Sequence, residues 1–165
     1  MTKFVSFGTE LAAFLKTHSD HEMQLTMTGE YALRAMLYIC SSPGDKKFKI
    51  AEIASQNDIP ENFLRKIVVQ LKDAGYLTGH KGNGGGILLN VDPEKITPLH
   101  IIEAVEGEIG LNKCLLYKDF CTRDNYCSIH VIWAEAQKQL KEQLSSKNML
   151  ELARQNTERH NRWQK

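Results

Sequence analysis

The sequence predicts a mainly α fold with a small β-hairpin wing, and three observations predict it. A short amphipathic helix and a longer one meet across the tight connection Asp58-Ile59-Pro60. Two strand-like runs, around Tyr76–Lys81 and Ile87–Asn90, follow directly and flank the glycine-rich Gly82-Asn83-Gly84-Gly85-Gly86. An apolar seam then repeats every three or four residues from Ile129 to Leu144. Together these give a winged helix-turn-helix domain followed by a long C-terminal dimerisation helix.

In order along the chain, residues 1–22 form an extension in which Leu11, Phe14 and Leu15 have the spacing of a short apolar helical stripe, with Thr9 placed to cap it. Two readings of it stand: an accessory helix, or translation from a start codon upstream of the natural one. The domain proper starts near Met23. A first helix spans Thr28 to Cys40, with Ala32, Ala35, Met36 and Ile39 on one face and Leu33, Leu37 and Cys40 widening it. A helix that apolar is buried on most sides, so Cys40 reads as a small buried hydrophobe. Ser41-Ser42-Pro43-Gly44 stops it.

Ile50, Ile53 and Ala54 give the inner face of a second helix that ends near Asn57, and Ile59 is placed to plug the gap behind it. The third helix spans Glu61 to Ala74 with Leu64, Ile67, Val68 and Leu71 inward, and Gly75 suits its C-terminal cap. Past the hairpin, Thr97-Pro98 opens a helix with Leu99, Ile102 and Val105 inward. Residues Gly107 to Asn125 show no helical or strand period. The long helix starts near Cys127 and carries Ile129, Ile132, Trp133, Ala136, Leu140 and Leu144 on one seam. From Arg154 the tail is polar and expected to fray. The plan is thus an extension at 1–22, a DNA-binding domain at 23–106, a cysteine segment at 107–127, a dimerisation helix with a short following helix at 128–153, and a tail at 154–165.

Composition restricts the function classes. With 165 residues, 42% hydrophobic and a net charge of +1, the chain is an ordinary globular protein without the strongly basic balance of many nucleic-acid binders. Any DNA binding therefore rests on local geometry. No apolar run approaches the roughly 20 residues needed to cross a bilayer, and the N-terminus lacks a secretory h-region. The expected compartment is the cytoplasm, where thiols serve as metal ligands or redox sensors more often than as disulfides.

Two sets of residues carry chemistry. On the third helix, Asn62, Arg65, Lys66 and Val69 repeat the helical spacing on the side opposite the core stripe, offering amide and guanidinium groups to base edges and phosphates. The wing adds His80, Lys81 and Asn83, with glycines that let the backbone approach a sugar-phosphate chain. A phosphate-cradling enzyme loop would open a helix after the glycines. Here Ile87-Leu88-Leu89 is strand-like and Pro93 lies close behind, which argues against an enzyme.

The second set is Cys114, Cys121 and Cys127, spaced C-x6-C-x5-C, with His130 three residues after the last. Three thiolates and an imidazole complete a four-ligand site. The long spacers favour an iron–sulfur cluster over structural zinc, which usually pairs its ligands at C-x2-4-C. A zinc site, a metal-free regulator and a thiol redox enzyme are the alternatives, the last lacking a C-x-x-C pair. Glu30 lies in the first turn of the first helix, placed to pair with Arg34.

Met23-Gln24-Leu25-Thr26, Glu30-Tyr31-Ala32-Leu33-Arg34, Phe63-Leu64, Leu71 to Leu77 and Gly84-Gly85-Gly86 together resemble the Rrf2 family of winged-helix transcriptional regulators, over about residues 23–153. The resemblance implies a homodimer joined through the long helix and reading a pseudo-palindromic double-stranded DNA operator, as a repressor governed by iron, redox state or nitric oxide. It implies that Cys114, Cys121 and Cys127 hold a 2Fe-2S or 4Fe-4S cluster. His130 matches the family's fourth ligand, and Glu30 is the rival, supplied from the partner subunit. Thr26, Asn62, Phe63, Arg65, Lys66, His80, Lys81, Asn83 and Gly84 fall at the expected DNA contacts. There are departures. The first cysteine gap holds six residues where related members usually have five, and Arg65 stands where many carry an acidic residue, so operator preference does not carry over. The 1–22 extension has no counterpart.

Overall fold

Thr26 opens the first helix: its hydroxyl oxygen accepts from the Thr28 N–H, and helix α1 runs Met27–Cys40. The computed structural model describes residues 26–42, 44, 46–80, 82, 85–118, 120–123 and 125–163. The extension at 1–22 and the wing residues Lys81, Asn83 and Gly84 lie outside the described residues. The apolar stripe of α1 is buried as expected, with Ala32, Met36, Ile39 and Cys40 fully inaccessible.

Burial also pushes the Cys40 thiol up to about 12, because the thiolate would lose its hydration. Cys114, Cys121 and Cys127 are only half-buried, and none of the four cysteines is disulfide-bonded. Iodoacetamide at pH 8 is therefore expected to alkylate the three segment cysteines of the metal-free protein and to spare Cys40 until denaturant is added. Peptide mass spectrometry reads the result, and labelling of Cys40 at a similar rate in the folded protein would contradict it.

Helix α2 spans Ile50–Gln56 and α3 spans Glu61–Asp73. The turn between them places Asp58 at φ 52° and seats Ile59 in the core at 4% exposure. Leu64, Ile67, Val68 and Leu71 bury the inner face of α3. The helix ends in a Schellman arrangement, with Tyr76 N–H donating to Leu71 O and Gly75 N–H to Lys72 O, both at 2.9 Å. That geometry needs Gly75 at φ 82°.

Strands β1, Leu77–His80, and β2, Gly86–Leu89, pair antiparallel with Leu77 opposite Leu89 and His80 opposite Gly86. Phe48 adds a bridge on the outer side of β2: its N–H donates to Ile87 O at 2.9 Å and its carbonyl accepts from Ile87 N–H at 2.8 Å. The backbones run so close there that a Cβ on Gly86 would lie 2.8 Å from Phe48 O.

After a 3-10 turn at Pro93–Lys95, α4 runs Pro98–Glu106. Thr97 is its N-cap in a reciprocal box with His100, whose Nδ1 accepts from the Thr97 N–H at 3.2 Å. Its buried residues are Ile101, Ile102 and Val105, while Leu99 is half-buried. Ile101 thus takes the inward place the sequence assigned to Leu99. A short helix α5, Lys113–Leu116, lies inside the stretch read as having no period. Four residues make barely one turn, too few to display a 3.6-residue repeat.

Helix α6 runs Ser128–Ser145 and α7 runs Met149–Trp163. The expected frayed tail from Arg154 is corrected here: α7 continues to Trp163. Met149, Leu150 and Ala153 anchor its first turns against α1, Met149 N–H donates to Ile96 O at 2.7 Å, and Lys147–Glu151 and Gln155–Glu151 contacts brace it. A helix docked by one end needs no further apolar residues beyond, so its exposed turns read as tail. α1 packs mainly on α4 and α7, with α3 closing the core from the other side.

Candidate nucleic-acid interface and cysteine segment

The core stripe of α3 leaves its opposite face to solvent. Asn62, Arg65, Lys66 and Val69 are all exposed there, as the spacing predicts. Arg65 is held by Glu61 one turn earlier, an exposed pair. Such a pair contributes only about 0.3–0.5 kcal/mol, so a phosphate can displace the carboxylate. Glu61→Gln is expected to raise affinity for DNA modestly, about two- to threefold at low salt, read by fluorescence anisotropy; a loss of affinity would show that Glu61 orients Arg65 for binding instead.

Phe63 is partly engaged within the fold: its ring meets Tyr31 edge-on at 6.1 Å between centroids, and it remains 44% exposed. The Thr26 hydroxyl donates to Glu106 Oε1 at 2.6 Å, so its group is used to join α1 to α4. His80 ends β1 and is exposed. Lys81, Asn83 and Gly84 lie outside the described residues.

Between α3, the start of α2 and the hairpin lies a groove of about 440 Å³ whose walls include Lys49, Arg65, Lys72 and His80. Lys72 reaches across it, its Nζ 3.1 Å from where a Cβ on Gly79 would sit. Lys49 and Lys72 were absent from the contacts expected from the sequence. The signal existed for Lys72, which continues the outward stripe seven residues after Arg65. Lys49 is placed by the turn before α2, which no periodicity reports.

The cysteine segment is built from short pieces. Cys114 sits on α5, Cys121 in the bends that follow, and Cys127 is the N-cap of α6. His130 lies in the first turn of α6, its N–H donating to Cys127 O at 3.1 Å. Cys127 and His130 therefore share the start of one helix, as the sequence predicts. Leu116 packs directly on the backbone of Gly110, leaving no room for a Cβ there. Tyr117, Phe120 and Tyr126 are exposed, and Lys113 Nζ lies 5.9 Å from the Phe120 ring centroid.

Among the described residues, no three or more His, Cys, Asp or Glu side chains are gathered closely enough to hold a metal ion. The structure thus does not bring Cys114, Cys121, Cys127 and His130 together as one ligand set. Glu30, the rival donor, pairs with Arg34 as the sequence predicts. The residue types still fit a thiolate-ligated cluster, three cysteines with an imidazole close by. Binding one requires the segment to rearrange around it, and metal binding then becomes conformational free energy.

A hairpin behind a helix-turn-helix, with amide and cationic groups on the outer face of the second helix and along the adjoining groove, defines a winged-helix DNA-binding protein. The chain belongs to the Rrf2 family, described as an iron-dependent transcriptional regulator, whose model matches residues 25–155. An HTH-type transcriptional regulator of Aquifex aeolicus is 35% identical over 117 residues, covering 70% of this chain and 81% of the relative. The HTH-type transcriptional regulator IscR of Yersinia pseudotuberculosis is 28% identical over 130 residues, covering 79% of each. Among solved structures, CymR, the global cysteine regulator of B. subtilis, matches with a TM-score of 0.65 and 26% identity over 80% of this chain and 97% of its own. T. potens IscR shares the fold, with a TM-score of 0.66 at 20% identity over 81% and 88%. These relatives are transcriptional regulators rather than enzymes. No helix among the described residues is long and apolar enough to cross a membrane.

Proposed function

We propose that this chain is a homodimeric repressor whose operator binding is set by an iron–sulfur cluster held in the segment 107–127. The observation that carries the reading is the position of Cys114, Cys121 and Cys127 in one segment that ends at the N-terminus of α6. Asn62, Arg65 and Lys66 of α3 face the major groove, with Phe63 at the edge of the contact. Lys49, Lys72, His80 and the wing tip at Lys81, Asn83 and Gly84 neutralise or approach phosphates. Ile129, Val131 and Ile132 are more than half exposed on α6 and are covered by a second copy. The three cysteines and His130 ligate the cluster, which supplies a centre whose integrity depends on iron supply, oxidants or nitric oxide. Cluster loss frees the segment, and the two recognition helices lose their spacing.

A second reading is a regulator with structural zinc or no metal. It is favoured by the absence of a gathered ligand set among the described residues and by the likeness to a cysteine regulator.

The deciding measurement is an ultraviolet–visible spectrum with iron and sulfide analysis on protein purified without oxygen, followed by operator affinity for holo and apo protein at one salt concentration. Broad absorbance with matching iron and sulfide, and affinities that differ, are expected. Colourless protein even after reconstitution selects the second reading, and equal affinities sink the cluster-controlled switch. On the holo protein, His130→Ala is expected to destabilise the cluster while Glu30→Ala leaves its spectrum intact. The reverse result transfers the fourth position to Glu30.

A further inference from the structure

The last turn of α4 is the meeting point of the other parts of the molecule. Val105 O is one of the final carbonyls that a helix cannot satisfy internally, and it accepts from Gln70 Nε2 of α3 at 3.1 Å. Glu106 Oε1 accepts from Thr26 Oγ1 at 2.6 Å and from Gly29 N–H at 2.8 Å, satisfying the open N-terminus of α1 with a carboxylate that its dipole favours. Glu103 faces Lys141 of α6 at 3.4 Å, and Lys141 also reaches Glu108 at 3.0 Å, just past the helix end. Burial acts to lower the Lys141 pKa, but its hydrogen bonds to Glu108 and Glu103 hold it above the usual lysine value, so it stays charged in neutral solution. Leu111 N–H donates to Gln137 Oε1 of α6 at 3.0 Å. The chain leaves this turn through Gly107, at φ 86°, directly into the cysteine segment.

We propose that Gln70 is a positioning residue through which the cysteine segment acts on the recognition helix, with the last turn of α4 as the relay. The inference rests on the regulatory reading given above. Residues 108–111 are tied to α6 by Glu108 and Leu111, so a rearrangement around Cys114 pulls on the turn that holds Val105. Gln70 lies on the same helix as Arg65 and Lys66 and fixes that helix against the turn by a side-chain bond to a backbone carbonyl. A displacement of Val105 O is thereby passed to the DNA-reading face. Glu106 holds α1 to the same turn, so α1 and α3 respond together.

The test compares two segment states in full-length metal-free protein: unmodified, and with Cys114, Cys121 and Cys127 alkylated at pH 8. The probe is a duplex selected from a random pool by the unmodified wild-type protein, and the readout is the ratio of the two dissociation constants at fixed salt. Gln70→Met keeps the side chain's length and removes the donor. It is expected to shrink the wild-type ratio by about fivefold, the net worth of one hydrogen bond, with the thermal midpoint within about 4 °C of wild type. Gln70→Lys again offers a donor to Val105 O and is expected to restore the ratio. Its added charge changes both affinities alike.

A wild-type ratio well above one that is unchanged in Gln70→Met overturns the relay while leaving segment control standing. A fall in Gln70→Met without recovery in Gln70→Lys also overturns it. A wild-type ratio of one overturns the relay, because alkylating the segment then leaves the DNA-reading face unaffected, while control by the cluster is decided separately by the holo and apo affinities.

Discussion

Ile132→Asp is expected to yield a folded monomer that has lost sequence-specific DNA binding. Ile129, Val131 and Ile132 are 56%, 67% and 61% exposed in the single chain, an apolar surface at the start of α6. Burying one such side chain fully contributes about 1.5–3 kcal/mol, and in the proposed dimer a carboxylate placed in the apolar seam reverses that gain and adds a desolvation cost. The position is exposed within the protomer, so the fold itself has no reason to fail. A monomer reads one half-site, and the lost second contact lowers operator affinity by about 10²–10⁴-fold. Light scattering gives the mass, circular dichroism the helicity, and anisotropy at fixed salt the affinity. A variant that remains dimeric places the interface elsewhere and removes α6 from it.

The two faces of α3 are expected to respond in opposite ways to alanine. Ile67 is fully buried, whereas Val69 is 55% exposed. Ile67→Ala deletes core methyl groups and leaves a cavity between α3 and its neighbours, at a cost of about 2–5 kcal/mol. For a chain of this size that corresponds to a midpoint lower by roughly 4–20 °C. Val69→Ala should change stability by no more than about 0.5 kcal/mol, and its effect, if any, falls on DNA affinity. Thermal melts of both variants decide the matter. Equal destabilisation would mean that α3 is covered on both sides and is not the helix presented to DNA.

These contrasts also show what the sequence makes legible. The stripe of α3 appears as a 3.6-residue period because that helix buries one face and is long enough to repeat it, whereas α1 reads as apolar nearly all round because it is buried on most sides. Gly75 and Thr97 could be placed because a helix terminus has specific chemical demands. What escaped was set by tertiary contacts. α5 is shorter than its own period, and the Phe48 bridge joins residues far apart in sequence. Helix α7 is fixed by Met149 meeting Ile96 and α1, after which it continues with a polar surface. The proposed ligands Cys114, Cys121, Cys127 and His130 could be picked out by residue type and spacing. Their mutual distances could not, because a segment without a regular period carries no geometric information in its sequence. The ties of Gln70 and Glu106 to the end of α4 were equally hidden, since neither residue carries a sequence pattern that marks a long-range contact.

Helix α6 is tied to the rest of its own protomer in its later half. Gln137 and Lys141 fasten it to the turn after α4, and the chain then returns through Met149 to the core, while the apolar residues near Ile132 project beyond these ties. These ties fix its orientation to its own protomer, so it is not a strap with slack. In the proposed dimer, two protomers joined through such arms would hold their recognition helices at one separation and one rotation. Each base pair inserted between half-sites turns them by about 35° around the duplex, an offset that stiff arms have no means of absorbing. For a protein built in this way, the length of the operator's unread centre is as much a part of the address as the bases it contacts.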